Sequence, residues 1–169
     1  ASTVSNAATP YTTPGAPTGL SATPGDTQIT IAFTPGADGF SAITNYKYSL
    51  NGTTYTAFSP AVTTSPVTIT GLTNGTSYTI YLKAVNAAGD GVASTSVSAT
   101  PRTTAGAPTS VVATAGSSQV SLTWSAPASN GGSAISDYVV EYSSNGSTWS
   151  TFADGTSTLT SATVTGLTP

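Results

Sequence analysis

The chain has 169 residues, of which three are Lys or Arg, six are Asp or Glu and none is His or Cys, and its formal net charge is −3. Charged residues make up 5% of it, against roughly 25% in ordinary soluble proteins. Three scattered cations exclude a phosphate-tracking patch for nucleic acid or an anionic membrane surface, and the missing His and Cys exclude a Ser-His or Cys-His nucleophile and a thiolate metal site.

Serine and threonine are about a third of the residues, yet the hydrophobic share is 37% and apolar residues alternate with polar ones. The disorder signature of high net charge and low hydrophobicity is therefore absent. The expectation is a folded chain whose polar, nearly uncharged surface offers little repulsion between copies, which favours association. With no Met and no apolar run of membrane-spanning length, the sequence reads as a processed or interior piece.

In chain order, Ala1 to Thr13 (ASTVSNAATPYTT) matches Ala93 to Thr104 (ASTSVSATPRTT), with Thr9-Pro10 over Thr100-Pro101. Residues 1–14 are thus expected to be the last strand of a preceding repeat plus its linker. Gly15 to Pro35 (GAPTGLSATPGDTQITIAFTP) returns as Gly106 to Pro127 (GAPTSVVATAGSSQVSLTWSAP), a spacing of about 91 residues, longer than solenoid periods, so each copy is a domain. The expected division is a complete domain over 15–101, a linker over 102–106 and a second domain over 107–169.

Gln28 to Thr34 alternates strictly, with Ile29, Ile31 and Phe33 on one face, the period of a half-buried strand. Val120, Leu122 and Trp124 repeat it. Tyr46, Tyr48 and Leu50 share a face, matched by Tyr138, Val140 and Tyr142; Val67 and Ile69 form an inward pair, matched by Ala162 and Val164. Ser77 to Asn86 is the longest run, with Tyr78, Ile80, Leu82 and Ala84 inward and Tyr81 and Lys83 outward. Turn signals separate these runs at Pro24-Gly25-Asp26, Asp38-Gly39, Asn51-Gly52, Asn74-Gly75, Gly89-Asp90-Gly91 and Asn145-Gly146. No segment has a helical period, and short strands of Thr, Val, Ile and Tyr at this spacing predict an all-β, immunoglobulin-like antiparallel β-sandwich.

Pro17, the aromatic at Phe33 or Trp124, the pairs Ile43-x-x-Tyr46 and Ile135-x-x-Tyr138, Gly71-Leu72-Thr73, and Tyr78-x-Ile80-x-Leu82-x-Ala84-Val85-Asn86-Ala87-Ala88-Gly89 together resemble tandem fibronectin type III domains of bacterial-type secreted or surface proteins. The resemblance covers nearly the whole chain. It implies that Tyr78 is the tyrosine-corner residue, its hydroxyl bonding back to the backbone near Leu72. Phe33 stands where that family usually has Trp, and the second copy departs further by stopping at Gly166-Leu167-Thr168, the match of Gly71-Leu72-Thr73. That copy is therefore expected to be truncated before its last two strands. The equivalents of Tyr78, Ile80 and Leu82 would each contribute about 1.5–3 kcal/mol by burial, a sum that rivals the roughly 5–15 kcal/mol stability of a domain. Residues 107–169 are then not independently stable unless another chain supplies the strands. Two readings stay open: a window on a longer array, or strand donation in which Ser2 to Thr9 inserts into a neighbour.

Catalytic groups are scarce. Asp137 and Glu141 are the only close carboxylate pair, and four residues of strand hold them about 13 Å apart, beyond the roughly 5–9.5 Å of glycosidase pairs. Asn45 and Ser49 take the corresponding places in the first copy. Asp38, Asp90 and Asp154 each precede Gly and read as turn residues rather than calcium ligands. Asn51-Gly52-Thr53, Asn74-Gly75-Thr76 and Asn145-Gly146-Ser147 fit the N-glycosylation pattern, but Asn-Gly is also what a tight turn selects, and the turn accounts for them. Lys47 and Lys83 alternate outward, away from any buried isopeptide partner. Tyr55 and Trp149 are matched surface aromatics, and Tyr11 sits where the later copy has Arg102, placed to wedge between domains.

No catalytic, metal or cofactor site is expected, and no cofactor. The leading expectation is a non-catalytic structural or adhesive repeat of an extracellular or cell-surface protein or filament. It would form a semi-rigid rod that self-associates, since the link Pro101 to Ala107 (PRTTAGA) is short and Pro10 to Pro17 (PYTTPGAP) carries three prolines. Its partners would be copies of itself or neighbouring repeats, with cell surface or polysaccharide as further surfaces. The rival readings are a spacer of a secreted polysaccharide-degrading enzyme, a ligand-binding module using the Asn86 to Gly91 end, and a phage virion decoration domain. One scaffold hosts all these roles.

Overall fold

The computed structural model describes residues 10–168, and the expected earlier-copy strand over Ser2 to Thr9 lies outside them. The chain divides into two units between Arg102 and Thr103. Among the described residues every regular element is a strand.

In unit 1, β1 (Thr18–Gly25), β2 (Gln28–Thr34) and β5 (Val67–Thr70) form one antiparallel sheet in the order β1-β2-β5. The second sheet runs β4 (Thr56–Ala57), β3 (Asn45–Ser49), β6 (Tyr78–Asn86), β7 (Gly89–Asp90), with β8 (Val97–Ala99) also paired to β6. Alternation does what it predicts. Ile29, Ile31, Phe33, Val67 and Ile69 leave the first sheet toward Tyr46, Ile80, Leu82 and Ala84 of the second, and all are buried. The register sets Ile29 beside Ile69, and Tyr46 beside Ala84. Phe33 fills the expected aromatic position by meeting the Tyr46 ring edge-on at 4.7 Å between centroids, a favoured aromatic geometry.

The loops are held by specific bonds. The Thr73 amide donates to the Tyr78 hydroxyl at 3.0 Å, which is the tyrosine corner beside Leu72. Thr27 turns between β1 and β2 at φ 52°, and its amide donates to Asn74 Oδ1 at 2.9 Å while Asn74 Nδ2 donates to Asp26 at 2.7 Å. Pro10 to Pro17 carry no strand. They lie along unit 1, with Pro14 and Pro17 fully buried and the Thr12 and Gly15 amides donating to Gly39 and Ala37.

In unit 2, β9 (Thr109–Gly116), β10 (Gln119–Ser125) and β13 (Ser161–Thr165) form the sheet β13-β10-β9, and β11 (Glu141–Tyr142) pairs with β12 (Ser150–Thr151). These five correspond to β1, β2, β5, β3 and β4 of unit 1. No described strand of unit 2 corresponds to β6 or β8. Its buried apolar residues among those described are Val140 and Val164, while Val120, Leu122 and Trp124 are only half-buried.

The correspondences drawn from the sequence at the end of β3 are corrected. Ser49 is buried, not outward beside a counterpart of Glu141. The Ser49 hydroxyl oxygen accepts the Asn51 and Gly52 amides, as the Ser143 hydroxyl oxygen accepts those of Asn145 and Gly146. Ser49 therefore matches Ser143, and Tyr48 matches Tyr142 rather than Val140 in the hairpin register, because unit 2 has two extra residues between Ile135 and its turn. A two-residue insertion preserves the strand's facing, so alternation alone could not reveal it.

Candidate functional site

The titratable groups are few, and the structure keeps most of them separate. Asp137 Oδ1 accepts the Ser157 amide at 2.9 Å, and Asp38 Oδ1 accepts the Phe40 amide at 2.9 Å, so both close loops as turn residues do. Glu141 lies on β11, but Asp137 precedes that strand. Asp90 does more than turn the chain: its carboxylate meets Lys47 Nζ at 2.8 Å. Lys47 lies beside Lys83 in the β3–β6 register, and Lys83 Nζ stands 4.3 Å from the centre of the Tyr55 ring. Local charge is thus spread over a carboxylate and an aromatic face. Burial, with a smaller contribution from Tyr81, raises the Tyr55 pKa above its usual value. Burial likewise raises that of Tyr46, whose hydroxyl has no partner among the described residues. Those residues contain no group of three His, Cys, Asp or Glu that could hold a metal.

Unit 2 presents a shallow cleft of about 170 Å³ lined chiefly by Pro108, Val111, Leu122, Trp124, Tyr138 and Val140, with Glu141 on its wall. Trp124 and Tyr138 meet edge-on at 5.3 Å, as Phe33 and Tyr46 do in unit 1. The Trp124 indole N–H is buried without a partner among the described residues, and Val111 is 61% exposed. The cleft is the inner face of a sandwich left uncovered, since the equivalent positions of unit 1 are closed by β6 and β8.

The link Pro101 to Ala107 read from sequence is a bonded segment. In unit 1, the Gly75 amide donates to Pro101 O at 2.9 Å and the Arg102 amide to Gly25 O at 3.0 Å. In unit 2, the Thr103 amide donates to Gly131 O at 2.8 Å and the Gly106 amide to Ser129 O at 2.9 Å. Tyr11 is half-exposed on unit 1. Phe40 was not singled out by its sequence, yet it is 83% exposed at φ 63°, a backbone region that non-glycine residues seldom adopt. Its counterpart in unit 2 is Gly132 at φ 88°.

The Fibronectin type III domain family matches residues 15–100 and again 106–169, and the chain belongs to that family. No curated protein matches it. A crystal structure of titin domains is similar at 21% identity and a TM-score of 0.45, covering 52% of this chain and 32% of that one. Fibronectin type III repeats are typically non-catalytic structural modules and are common in extracellular proteins. Among the described residues, no helix is long and apolar enough to cross a membrane.

Proposed function

We propose that the chain is a structural segment of an extracellular surface protein or filament, in which tandem fibronectin type III repeats form a semi-rigid rod that associates side by side with its own kind. The observation that carries this reading is the link. Bonds to unit 1 run through Arg102 and bonds to unit 2 begin at Thr103, so the link between the repeats is short. A surface with 5% charged residues supports lateral association.

Electron microscopy of the native material, with mass spectrometry of its parent chain, tests the proposal. Regular fibres or surface rods of one repeated polypeptide are expected. Dispersed particles whose parent chain carries an enzyme domain would overturn it and make these repeats spacers.

A further inference from the structure

The three Asn-Gly turns share a sequence pattern but not a chemical situation. Asn74 is half-buried and committed on both sides of its amide: Oδ1 accepts from Thr27, and Nδ2 donates to the Asp26 carboxylate at 2.7 Å. Asn51 is exposed at the tip of the β3–β4 hairpin, and its Nδ2 donates to no described protein group. Its Oδ1 accepts the Thr53 amide at 2.9 Å, the Thr54 amide at 2.9 Å, the Thr53 hydroxyl at 3.0 Å and the Ser49 hydroxyl at 3.0 Å. Asn145 repeats this at the tip of the β11–β12 hairpin, where Oδ1 accepts the Ser147 and Thr148 amides at 2.8 Å each and the Ser143 hydroxyl at 3.1 Å.

We infer that Asn51 and Asn145 are acceptors for N-linked sugar and that Asn74, despite the same pattern, is not. Hydrogen bonds into an amide oxygen draw electron density from nitrogen and acidify its protons, one of which the transfer must remove. A free, exposed Nδ2 leaves the attacking atom accessible. In the transfer, Nδ2 forms a bond to C1 of a polyprenyl-diphosphate-linked oligosaccharide, the C1–O bond to the diphosphate breaks, and the diphosphate leaves with the electron pair. The proton from Nδ2 passes to a base of the transferase. The turn explains Asn-Gly but does not require a hydroxyl two residues on, since backbone amides at Thr53 and Ser147 already close it. Trp149, 59% exposed and in the same hairpin loop as Asn145, offers a ring face to the C–H side of a first sugar. Matched sites on both hairpins would put a hydrated glycan at the same place on each repeat.

The inference rests on the extracellular reading only in that such donors are met outside the cytoplasm. Its test is therefore made on the purified, folded 169-residue chain, incubated with an oligosaccharyltransferase and a polyprenyl-diphosphate-linked oligosaccharide. Peptide mass spectrometry then locates sugar after enzymatic release in heavy-oxygen water. Asn51 and Asn145 are expected to carry it, with Asn74 lower by about tenfold or more because its nitrogen must first leave a charge-assisted hydrogen bond. Thr53→Ala is expected to abolish the Asn51 site while the strand signal in circular dichroism stays unchanged, and heat-unfolded chain is expected to gain sugar at Asn74. No sugar at Asn51 and Asn145, or equal sugar at all three in the folded chain, would overturn the inference. The location of the native protein does not enter this assay, so a failure here is distinct from a failure of the filament reading.

Discussion

Units 1 and 2 begin with the same five strands, yet the same positions differ in what they bury. Ile29, Ile31 and Phe33 of β2 are buried, whereas Val120, Leu122 and Trp124 of β10 remain half-exposed. The chemistry of those side chains is nearly the same, so the difference lies in β6 and β8, which put Ile80, Leu82 and Val97 over the first sheet. A strand's apolar face is only an offer of burial, and the opposite sheet must accept it. Charge divides as unevenly. Lys47, Lys83 and Arg102 balance Asp26, Asp38 and Asp90 in unit 1, while unit 2 holds Asp137, Glu141 and Asp154 with no Lys or Arg.

The sharpest way to break this contrast is to cut the same kind of side chain from both units. Leu82→Ala leaves a cavity in a closed core and should cost unit 1 about 2–5 kcal/mol. Leu122→Ala, facing an open cleft, should cost well under half of that. Urea unfolding of each variant checks this, and equal losses would mean that unit 2 is closed in solution. Tyr78→Phe removes the hydroxyl that receives the Thr73 amide and should destabilise unit 1 by about 0.5–1.5 kcal/mol, with no counterpart to compare among the described residues of unit 2.

Phe40→Gly makes the unit 1 loop resemble Gly131-Gly132 of unit 2. It should relieve left-handed backbone strain and raise unit 1 stability by up to about 1 kcal/mol, read as a higher unfolding midpoint. The smallest effect belongs to the ion pair that unit 2 lacks. Asp90→Asn should cost unit 1 at most about 1 kcal/mol, and that loss should shrink in high salt.

Residue patterns alone located β2, β5, β6 and the turns, because alternation over several residues leaves one face for the core. β1 and β9 were not readable as separate strands. Leu20 and Ala22 are the only alternating apolar residues of TGLSATPG, and a register shift between Thr18 and Ser21 interrupts the ladder. The two-residue strands β4, β7, β11 and β12 are too short to carry a period. Among candidate sites, the sequence marked three equivalent Asn-Gly-Ser/Thr turns, and the Lys47–Asp90 pair was illegible across 43 residues.

What the sequence determined by itself is the repeat, the all-β class and the poverty of catalytic groups, since each rests on local spacing or on residue types that are simply missing, while the tyrosine corner was implied by the family resemblance. Only the tertiary structure decided which apolar faces are covered, which carboxylate finds a lysine, and which asparagine keeps a free nitrogen. Those outcomes depend on partners brought together from distant strands, as when Asp26 captures the Asn74 nitrogen while no described residue accepts from that of Asn51. Long-range neighbours, not the residues' own identities, set the environment in which each side chain acts.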